Sequence, residues 1–168
     1  MEMKTSFEKG LMFEKKIQEL YKNLGYIDVQ HNIKEKRIFL SDSWQIDIKY
    51  VDPIIKKIIY VEFKYKENDK PVTRKEIAQF IYVLESELGI NSSQGEFVTN
   101  SSYDRGARRI AKKNKLRLVD GNDLYILEKK INEIKSKKNN FYTIETIATI
   151  GFFNYIKIKA EDFLKEIL

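Results

Sequence analysis

Two short segments that alternate apolar and polar residues constrain the fold of this chain more than any other part of it. They are residues 44–50, WQIDIKY, and residues 58–66, IIYVEFKYK. A period of two is typical of a half-buried β-strand, because successive side chains of a strand point to opposite faces of the sheet. Asp52 and Pro53, between the segments, are typical turn residues. We therefore predict an antiparallel hairpin whose turn runs from Asp52 to Lys57.

Hydrophobicity sets the register of this hairpin, since the apolar residues of both segments must lie on one side to enter one core. These residues are Trp44, Ile46, Ile48 and Tyr50 in the first segment, and Ile59, Val61, Phe63 and Tyr65 in the second. The resulting register places Asp47 directly opposite Glu62, on the face that also carries Lys64. A slip of one residue would separate the two carboxylates and bury charge.

Two carboxylates directly opposite each other on neighbouring strands repel each other, and each raises the pKa of the other unless a cation neutralises them. Mg²⁺ suits such a pair because it prefers hard oxygen ligands and is held by one or two carboxylates, water and substrate phosphate oxygens. We predict that Asp47, Glu62 and the backbone carbonyl of Phe63 bind Mg²⁺, for which Mn²⁺ can substitute. Lys64 would orient the attacking water or offset developing negative charge. This set favours metal-dependent cleavage of a phosphodiester.

The alternative interpretation of the same residues is a solvated strand with salt bridges. Charged residues make up 33% of the chain, and the Glu-x-Lys pattern also begins at Glu2, Glu14, Glu128 and Glu133. Glu62 differs from these in its strand context and in having an aspartate in register. The residues by themselves leave both interpretations open.

Helical spacing predicts two helices beside the hairpin. The first begins at Thr5 or Ser6 and ends at Gly25, with Glu14 at the edge of its apolar stripe. The second begins at a capping box, residues 73–76, and carries Gln79 away from the centre of its stripe. Glu14 is either an exposed charge or part of the site, and Gln79 either faces the site or is exposed to solvent.

A strand, a helix and a second strand are predicted over residues 96–99, 104–114 and 116–119, and this alternation favours a mixed α/β sheet. Basic and polar residues near the helix starts would contact a phosphate backbone, or else only keep the surface soluble. They are Lys66, Arg74, Lys75, Asn100, Ser101, Arg105, Arg108, Arg109 and Lys112.

Composition excludes several classes of protein. The chain has no cysteine, which excludes disulfides, zinc-thiolate sites and cysteine nucleophiles, and its one histidine, His31, falls in a strand-like segment. None of the 7 glycines forms a phosphate-binding loop. The formal net charge of +6 favours an anionic partner such as DNA. No apolar stretch approaches the roughly 20 residues that span a bilayer, and the start lacks the apolar core of a signal peptide, so we predict a cytoplasmic protein with no membrane contact.

An ordered set of motifs over about residues 5–127 resembles the catalytic domain of Mrr-type restriction endonucleases, in the PD-(D/E)xK nuclease superfamily. The motifs are Phe13-Glu14, Leu24-Gly25-Tyr26, Gln45-Ile46-Asp47, Glu62-Phe63-Lys64, Pro71-Val72, residues 97–101, Gly106-Ala107, Ile110-Ala111, residues 118–121 and Asp123-Leu124. Many Mrr-like members have a glycine pair before the aspartate and glutamine in place of Glu62. This chain reads Ser43-Trp44 and keeps the glutamate, and so is closer to archaeal relatives.

The resemblance implies an α/β fold, a restriction-endonuclease-like mixed central β-sheet flanked by helices. It implies that Asp47 and Glu62 are metal ligands and that Lys64 is the catalytic lysine. It also implies that Glu14 and Gln79 join the site, with Glu14 as a further metal ligand. The implied function is a Mg²⁺-dependent DNA endonuclease. The alternatives are a structure-specific nuclease, such as a Holliday junction resolvase, and a non-catalytic DNA-binding module that keeps the fold.

The resemblance also divides the chain. Residues 1–127 are predicted to form the nuclease-like core, and residues 128–168 a C-terminal extension of unassigned role. The aromatic and β-branched residues of the extension indicate that it packs on the core or forms a homodimer interface. A dimer would supply the two active sites needed to cut both strands of a duplex.

Overall fold

The computed structural model describes residues 5–136 of the 168-residue chain. Residues 137–168, which include all the aromatic residues of the C-terminal extension, lie outside the described residues. The prediction of a homodimer through the C-terminal extension therefore stays a prediction.

A five-stranded mixed sheet forms the centre of the fold, with its strands in the order in which they follow one another in the chain. The strands are β1 (Ile27–Lys36), β2 (Ser43–Val51), β3 (Ile58–Lys64), β4 (Gly95–Thr99) and β5 (Arg117–Val119). Pairing is antiparallel from β1 to β3 and parallel from β3 to β5. The predicted mixed α/β sheet is confirmed.

Four helices cover the two faces of the sheet, which gives a three-layer arrangement. They are α1 (Ser6–Asn23), α2 (Arg74–Tyr82), α3 (Arg105–Lys113) and α4 (Gly121–Ser136). Buried side chains of α1 and α4 join one apolar cluster with β3, and those of α2 and α3 join a second cluster on the opposite face. None of the described helices is long and apolar enough to cross a bilayer.

Local signals in the sequence set the helix ends. Thr5 forms a capping box with Glu8 at the start of α1, and Gly25, just beyond the helix, has a φ of +80° that a side chain would disfavour. Thr73 and Glu76 form the predicted capping box of α2.

The end of α2 differs from the sequence prediction, in which apolar residues at helical spacing, from Ile77 to Leu88, indicate one continuous α-helix. Regular α-helical bonding stops at Tyr82, and the next residues, Val83–Glu87, form a π-helical turn. The amide of Leu88 closes it by donating to the carbonyl of Val83 at 3.0 Å. Val83 and Leu84 are both buried in this wider turn.

The β2–β3 hairpin has the predicted turn and register. The amide of Asp52 donates to the carbonyl of Lys57 at 2.9 Å, and Ile48 pairs with Val61. Ile48 and Val61 form the last regular pair away from the turn, so Asp47, which precedes Ile48 in β2, has no regular partner in β3.

The prediction of one continuous apolar face on β2 is wrong at the start of the strand. Ile48 and Tyr50 belong to the cluster under α1 and α4, whereas Ile46 belongs to the cluster under α2 and α3. Trp44 packs on that second cluster as well. The change of side coincides with the end of the β2–β3 pairing at Asp47, although β2 stays paired with β1 as far as Ser43. On β1, Asn32 lies at the same level and has a φ of +52°, a departure from the extended backbone on which strict alternation depends.

The predicted boundary after residue 127 falls inside α4. Ile131 is buried in the same cluster as Leu124 and Leu127, so the helix continues to contribute to the core beyond the predicted boundary.

A buried ionic cluster lies at the end of the sheet remote from Lys64. Asp52 and Glu96 are almost fully buried, and the Arg117 guanidinium lies 3.3 Å from Asp52 and 3.6 Å from Glu96. The hydroxyls of Tyr21 and Tyr50 donate hydrogen bonds to Glu96. One cation and two hydroxyls therefore compensate two buried carboxylates.

Replacing Arg117 with methionine should destabilise the fold strongly, because it leaves both carboxylates buried without their cation. We expect a loss of about 3 kcal/mol in the free energy of unfolding, measured by urea denaturation. Arg108→Met is the matched control, since Arg108 is about half exposed and its ion pair with Asp120 should be worth less than ~1 kcal/mol. Equal losses in the two variants would contradict this account.

Candidate active site

The end of the β2–β3 pairing holds the Asp47 side chain in a defined position. Its Oδ2 atom accepts a hydrogen bond from the amide of Phe63 at 2.7 Å. In a continued antiparallel ladder this amide would meet a backbone carbonyl of β2 instead. The bond fixes the carboxylate against β3, beside Glu62, and confirms the predicted proximity of these two residues.

Burial and mutual repulsion make both carboxylates hard to ionise. Burial raises the pKa of Asp47 to about 6, helped by the negative charge of Glu14 and opposed by the Phe63 amide, His31 and Lys64. Burial raises the pKa of Glu62 to about 8, helped by Asp47 and opposed by Lys64. The site thus concentrates negative charge that Lys64 offsets only in part.

A cleft of about 90 Å³ lies between β3 and α2. Its lining residues are Trp44, Glu62, Lys64, Glu76, Gln79, Phe80, Val83 and Phe97. Gln79 therefore faces the same space as Glu62 and Lys64, which is one of the two positions predicted for it. Asp47 is not among the lining residues, because its carboxylate is turned to the Phe63 amide. The volume is that of roughly three water molecules.

Glu14 lies at the edge of this group and has a partner of its own. Its carboxylate is 3.2 Å from Nε2 of His31, and both side chains are half-buried. His31 is in β1, as predicted, but its contact with Glu14 was not predicted. The sequence feature that could have predicted this contact is strand parity. His31 shares a face of β1 with Val29, which packs on the cluster under α1.

The residues at this site fit a divalent cation. Asp47 and Glu62 are hard oxygen donors, and Asp47 raises the pKa of Glu62, a repulsion that a bound cation would relieve. The carbonyl of Phe63 points to the same edge of β3 as its amide, toward Asp47. Within residues 5–136, no three His, Asp or Glu side chains come close enough together to hold a metal alone. Two carboxylates and a carbonyl would leave room for the waters that Mg²⁺ retains.

Three of the residues predicted to contact DNA are half-buried within the protein. Lys66 forms a half-buried ion pair with Glu76 at 2.7 Å. The side-chain amide of Asn100 accepts from the Lys66 amide at 2.7 Å and donates to the Lys66 carbonyl at 2.9 Å. The Ser101 hydroxyl is buried and has no hydrogen-bond partner among the described residues. The side chains of Lys66 and Asn100 therefore stabilise the loops around the cleft.

The other predicted DNA-contacting residues lie on the exposed sides of α2 and α3. The two helix starts adjoin, since the amide of Arg74 donates to Asp104 and a Cβ on Gly106 would lie 3.1 Å from that of Arg74. Arg108 is occupied by Asp120 and lies over the Tyr103 ring. The predicted DNA-contacting residues with exposed basic side chains on this surface are Arg74, Lys75, Arg105, Arg108, Arg109 and Lys112.

Comparison with protein families identifies the domain. The family model Mrr_cat, described as restriction endonuclease, matches residues 8–127. The chain belongs to this family. The resemblance predicted from the ordered motifs is confirmed, and the matched range contains the whole sheet, the cleft and both carboxylates. Nucleases of the PD-(D/E)xK type typically use divalent metals.

Solved structures show that this restriction endonuclease domain shares its fold with proteins of low sequence identity. A protein of unknown function, AF1548, has a TM-score of 0.55 at 14% identity over 64% of this chain and 56% of its own. Can2 from Sulfobacillus thermosulfidooxidans, in complex with cyclic tetra-adenylate, has a TM-score of 0.53 at 19% identity over 73% of this chain and 36% of its own.

A repair endonuclease from Pyrococcus abyssi has a TM-score of 0.46 at 17% identity over 71% of this chain and 48% of its own. The chain thus spans between 36% and 56% of the length of these three proteins. No curated protein is similar enough to count as a match.

The raised pKa values predict an inverse pH dependence of stability in the metal-free protein. Between the ordinary carboxyl pKa and the raised values of about 6 and about 8, the folded state binds more protons than the unfolded state. Stability should therefore fall as pH rises from about 5 to about 8. Glu62→Gln should flatten this profile and be at least ~1 kcal/mol more stable than wild type at the upper end.

Urea denaturation in the presence of a chelator measures this effect. Glu85→Gln, which removes an exposed carboxylate of the π turn, should keep the wild-type profile. A wild-type stability that increases over the same pH range would refute the assignment of a strained carboxylate pair.

Proposed function

We propose that this restriction endonuclease domain is a DNA endonuclease that depends on a divalent metal. The observation that carries the proposal is the pair of Asp47 and Glu62, two neighbouring carboxylates with raised pKa values, of which Glu62 lines the cleft together with Lys64. The family of the chain supports the same chemistry. The burial of two like charges destabilises a fold, and cation binding is the function that explains their retention in one place.

Each residue has a role in this proposal. Asp47, Glu62 and the carbonyl of Phe63 hold Mg²⁺, or Mn²⁺ in its place. When bound, the ion polarises the scissile phosphate and lowers the pKa of an attacking water. Lys64 donates a hydrogen bond to that water or to the phosphate, where it offsets developing charge.

Two further residues assist from outside this central group. Gln79 faces the cleft and can orient a phosphate oxygen through its side-chain amide. Glu14, oriented by His31, adds negative charge at the α1 side of the site and is close enough to raise the pKa values of Asp47 and Glu62.

Asp47→Asn and Lys64→Gln should each lower the rate of plasmid nicking with Mg²⁺ by at least about a hundredfold, because one removes a metal ligand and the other a charged donor. Conversion of supercoiled to open circular plasmid measures the rate. Asp28→Asn and Lys57→Gln are matched controls that remove exposed charges elsewhere on the sheet, and both should nick at the wild-type rate.

A second readout separates metal binding from catalysis. Mg²⁺ should raise the thermal unfolding midpoint of the wild type at about pH 8 by mass action, and this shift should be lost in Asp47→Asn. Normal nicking by Asp47→Asn would refute the assignment of the site. DNA binding without nicking in the wild type would favour the non-catalytic module instead.

We also propose that the exposed side of α3 binds the DNA backbone through Arg105 and Arg109. Replacing both with glutamine should weaken DNA binding and reduce the slope of log affinity against log salt by roughly 2, about one for each lost phosphate contact. Fluorescence anisotropy across a salt series, with chelator present, measures this slope. Lys56→Gln with Lys57→Gln, at the other end of the sheet, is the control pair. An unchanged slope would show that the α3 charges serve only solubility.

A further inference from the structure

The connection between β1 and β2 exposes three consecutive large apolar residues, Ile38, Phe39 and Leu40, here called the apolar tip. Phe39 is 84% exposed, Leu40 52% and Ile38 51%. Large apolar side chains grouped in this way at the surface are characteristic of a contact surface. None of the roles assigned above to the candidate active site uses them.

The base of the apolar tip is fixed to the protein. The Arg37 guanidinium donates to Glu87 at 2.7 Å, in an ion pair whose side chains are both largely buried. The amide of Ile38 donates to the carbonyl of Glu87 at 2.8 Å. Ile38 also packs so closely on Gly89 that a Cβ there would lie 2.7 Å from its Cδ1 atom. Phe39 and Leu40 are therefore presented on a supported base.

The apolar tip lies at the same end of the sheet as the candidate active site. β2 begins at Ser43, shortly after the tip, and Trp44 lines the cleft together with Glu62 and Lys64. The Arg37 guanidinium lies 5.9 Å from the centre of the Trp44 ring. A continuous path of contacts thus joins the tip to the cleft.

The charges around the apolar tip favour a polyanion. Lys34 and Lys36 are exposed on β1 as it approaches the tip, and neither has a carboxylate within 4.0 Å in residues 5–136. Glu35 is neutralised by Lys49 at 2.6 Å, whereas Arg37 is shared between Glu87 at 2.7 Å and Asp42 at 3.1 Å, so the two lysines exceed the remaining acidic charge by one. The uncompensated charge near the tip is therefore positive.

We propose that the apolar tip binds unpaired or unstacked bases of DNA, so that the preferred substrate has an interrupted helix at the cleavage site. A continuous duplex presents phosphates and base edges, with which the apolar side chains of Phe39 and Leu40 can form neither ion pairs nor hydrogen bonds. Unstacked bases expose apolar faces on which an aromatic ring stacks, and neighbouring lysines contact the adjoining phosphates. Forks, flaps, branch points and frayed ends share this chemistry. The proposal deepens the proposed function and rests on it.

The decisive variant is Phe39→Ser with Leu40→Ser, compared by anisotropy on a forked DNA and on a continuous duplex of equal length, with chelator present. The variant should bind the fork roughly tenfold more weakly and the continuous duplex within about twofold of the wild type. Ile54→Ser with Ile55→Ser is the matched control, because these residues form a similarly exposed apolar pair at the other end of the sheet. The control should bind both DNAs as the wild type does.

Two further measurements test whether stacking is the cause. A 2-aminopurine base beside the fork should change its fluorescence on binding to the wild type and not to the serine variant, and Phe39→Trp should restore the change. All variants should keep the wild-type thermal midpoint, since the altered side chains are exposed.

Several outcomes would overturn the proposal. One is that the serine variant loses equal affinity for the fork and the continuous duplex, or loses none for either. Another is that the serine substitutions change only binding to phosphatidylserine vesicles, or only the amount of dimer seen by gel filtration. Plasmid nicking by the wild type without a preference for forks would refute the proposed role of the apolar tip and leave the proposed function standing. Fork binding that requires Phe39 and Leu40, in a protein that cuts no DNA, would refute the proposed function and leave the binding of unstacked bases by the apolar tip standing.

Discussion

The hydrogen bond from the Phe63 amide to the Asp47 carboxylate is the interaction on which the rest of the site depends. It replaces a backbone contact of the β2–β3 ladder and coincides with the end of regular pairing. At the same point the apolar side chains of β2 change from one cluster to the other, with Ile48 on one side and Ile46 on the other. The bond holds a half-buried carboxylate beside Glu62, and it brings Trp44 to the side of the sheet where the cleft lies.

The two ends of the sheet handle buried carboxylates in opposite ways. At one end, Arg117 and two tyrosine hydroxyls compensate Asp52 and Glu96, and the result is a stabilising cluster. At the other end, Lys64 only partly offsets Asp47 and Glu62, and burial raises both pKa values. Compensated charge is typical of structure, and uncompensated charge is typical of a binding or catalytic site. This contrast supports the proposal that the active site lies at the Lys64 end of the sheet.

Most of the secondary structure could be predicted because it follows from local signals. The capping boxes at Thr5 and Thr73 set two helix starts, and the turn at Asp52 and hydrophobic alternation set the hairpin register. Features that depend on distant residues were missed. The contact of His31 with Glu14, the burial of Glu96 against Tyr21 and Tyr50, and the use of Asn100 to hold the Lys66 backbone all join residues far apart in the chain.

The sequence by itself determined the α/β class, the family motifs and the proximity of Asp47 and Glu62, because strand periodicity and hydrophobicity act over a few neighbouring residues. Only the tertiary structure decided which side chains are available for function. The sequence predicted Lys66 and Asn100 as surface residues that contact DNA, but in the structure both form contacts within the protein. Gln79, in contrast, faces the cleft. The reason is that burial and pKa depend on what other elements place around a residue, and no local pattern records that arrangement.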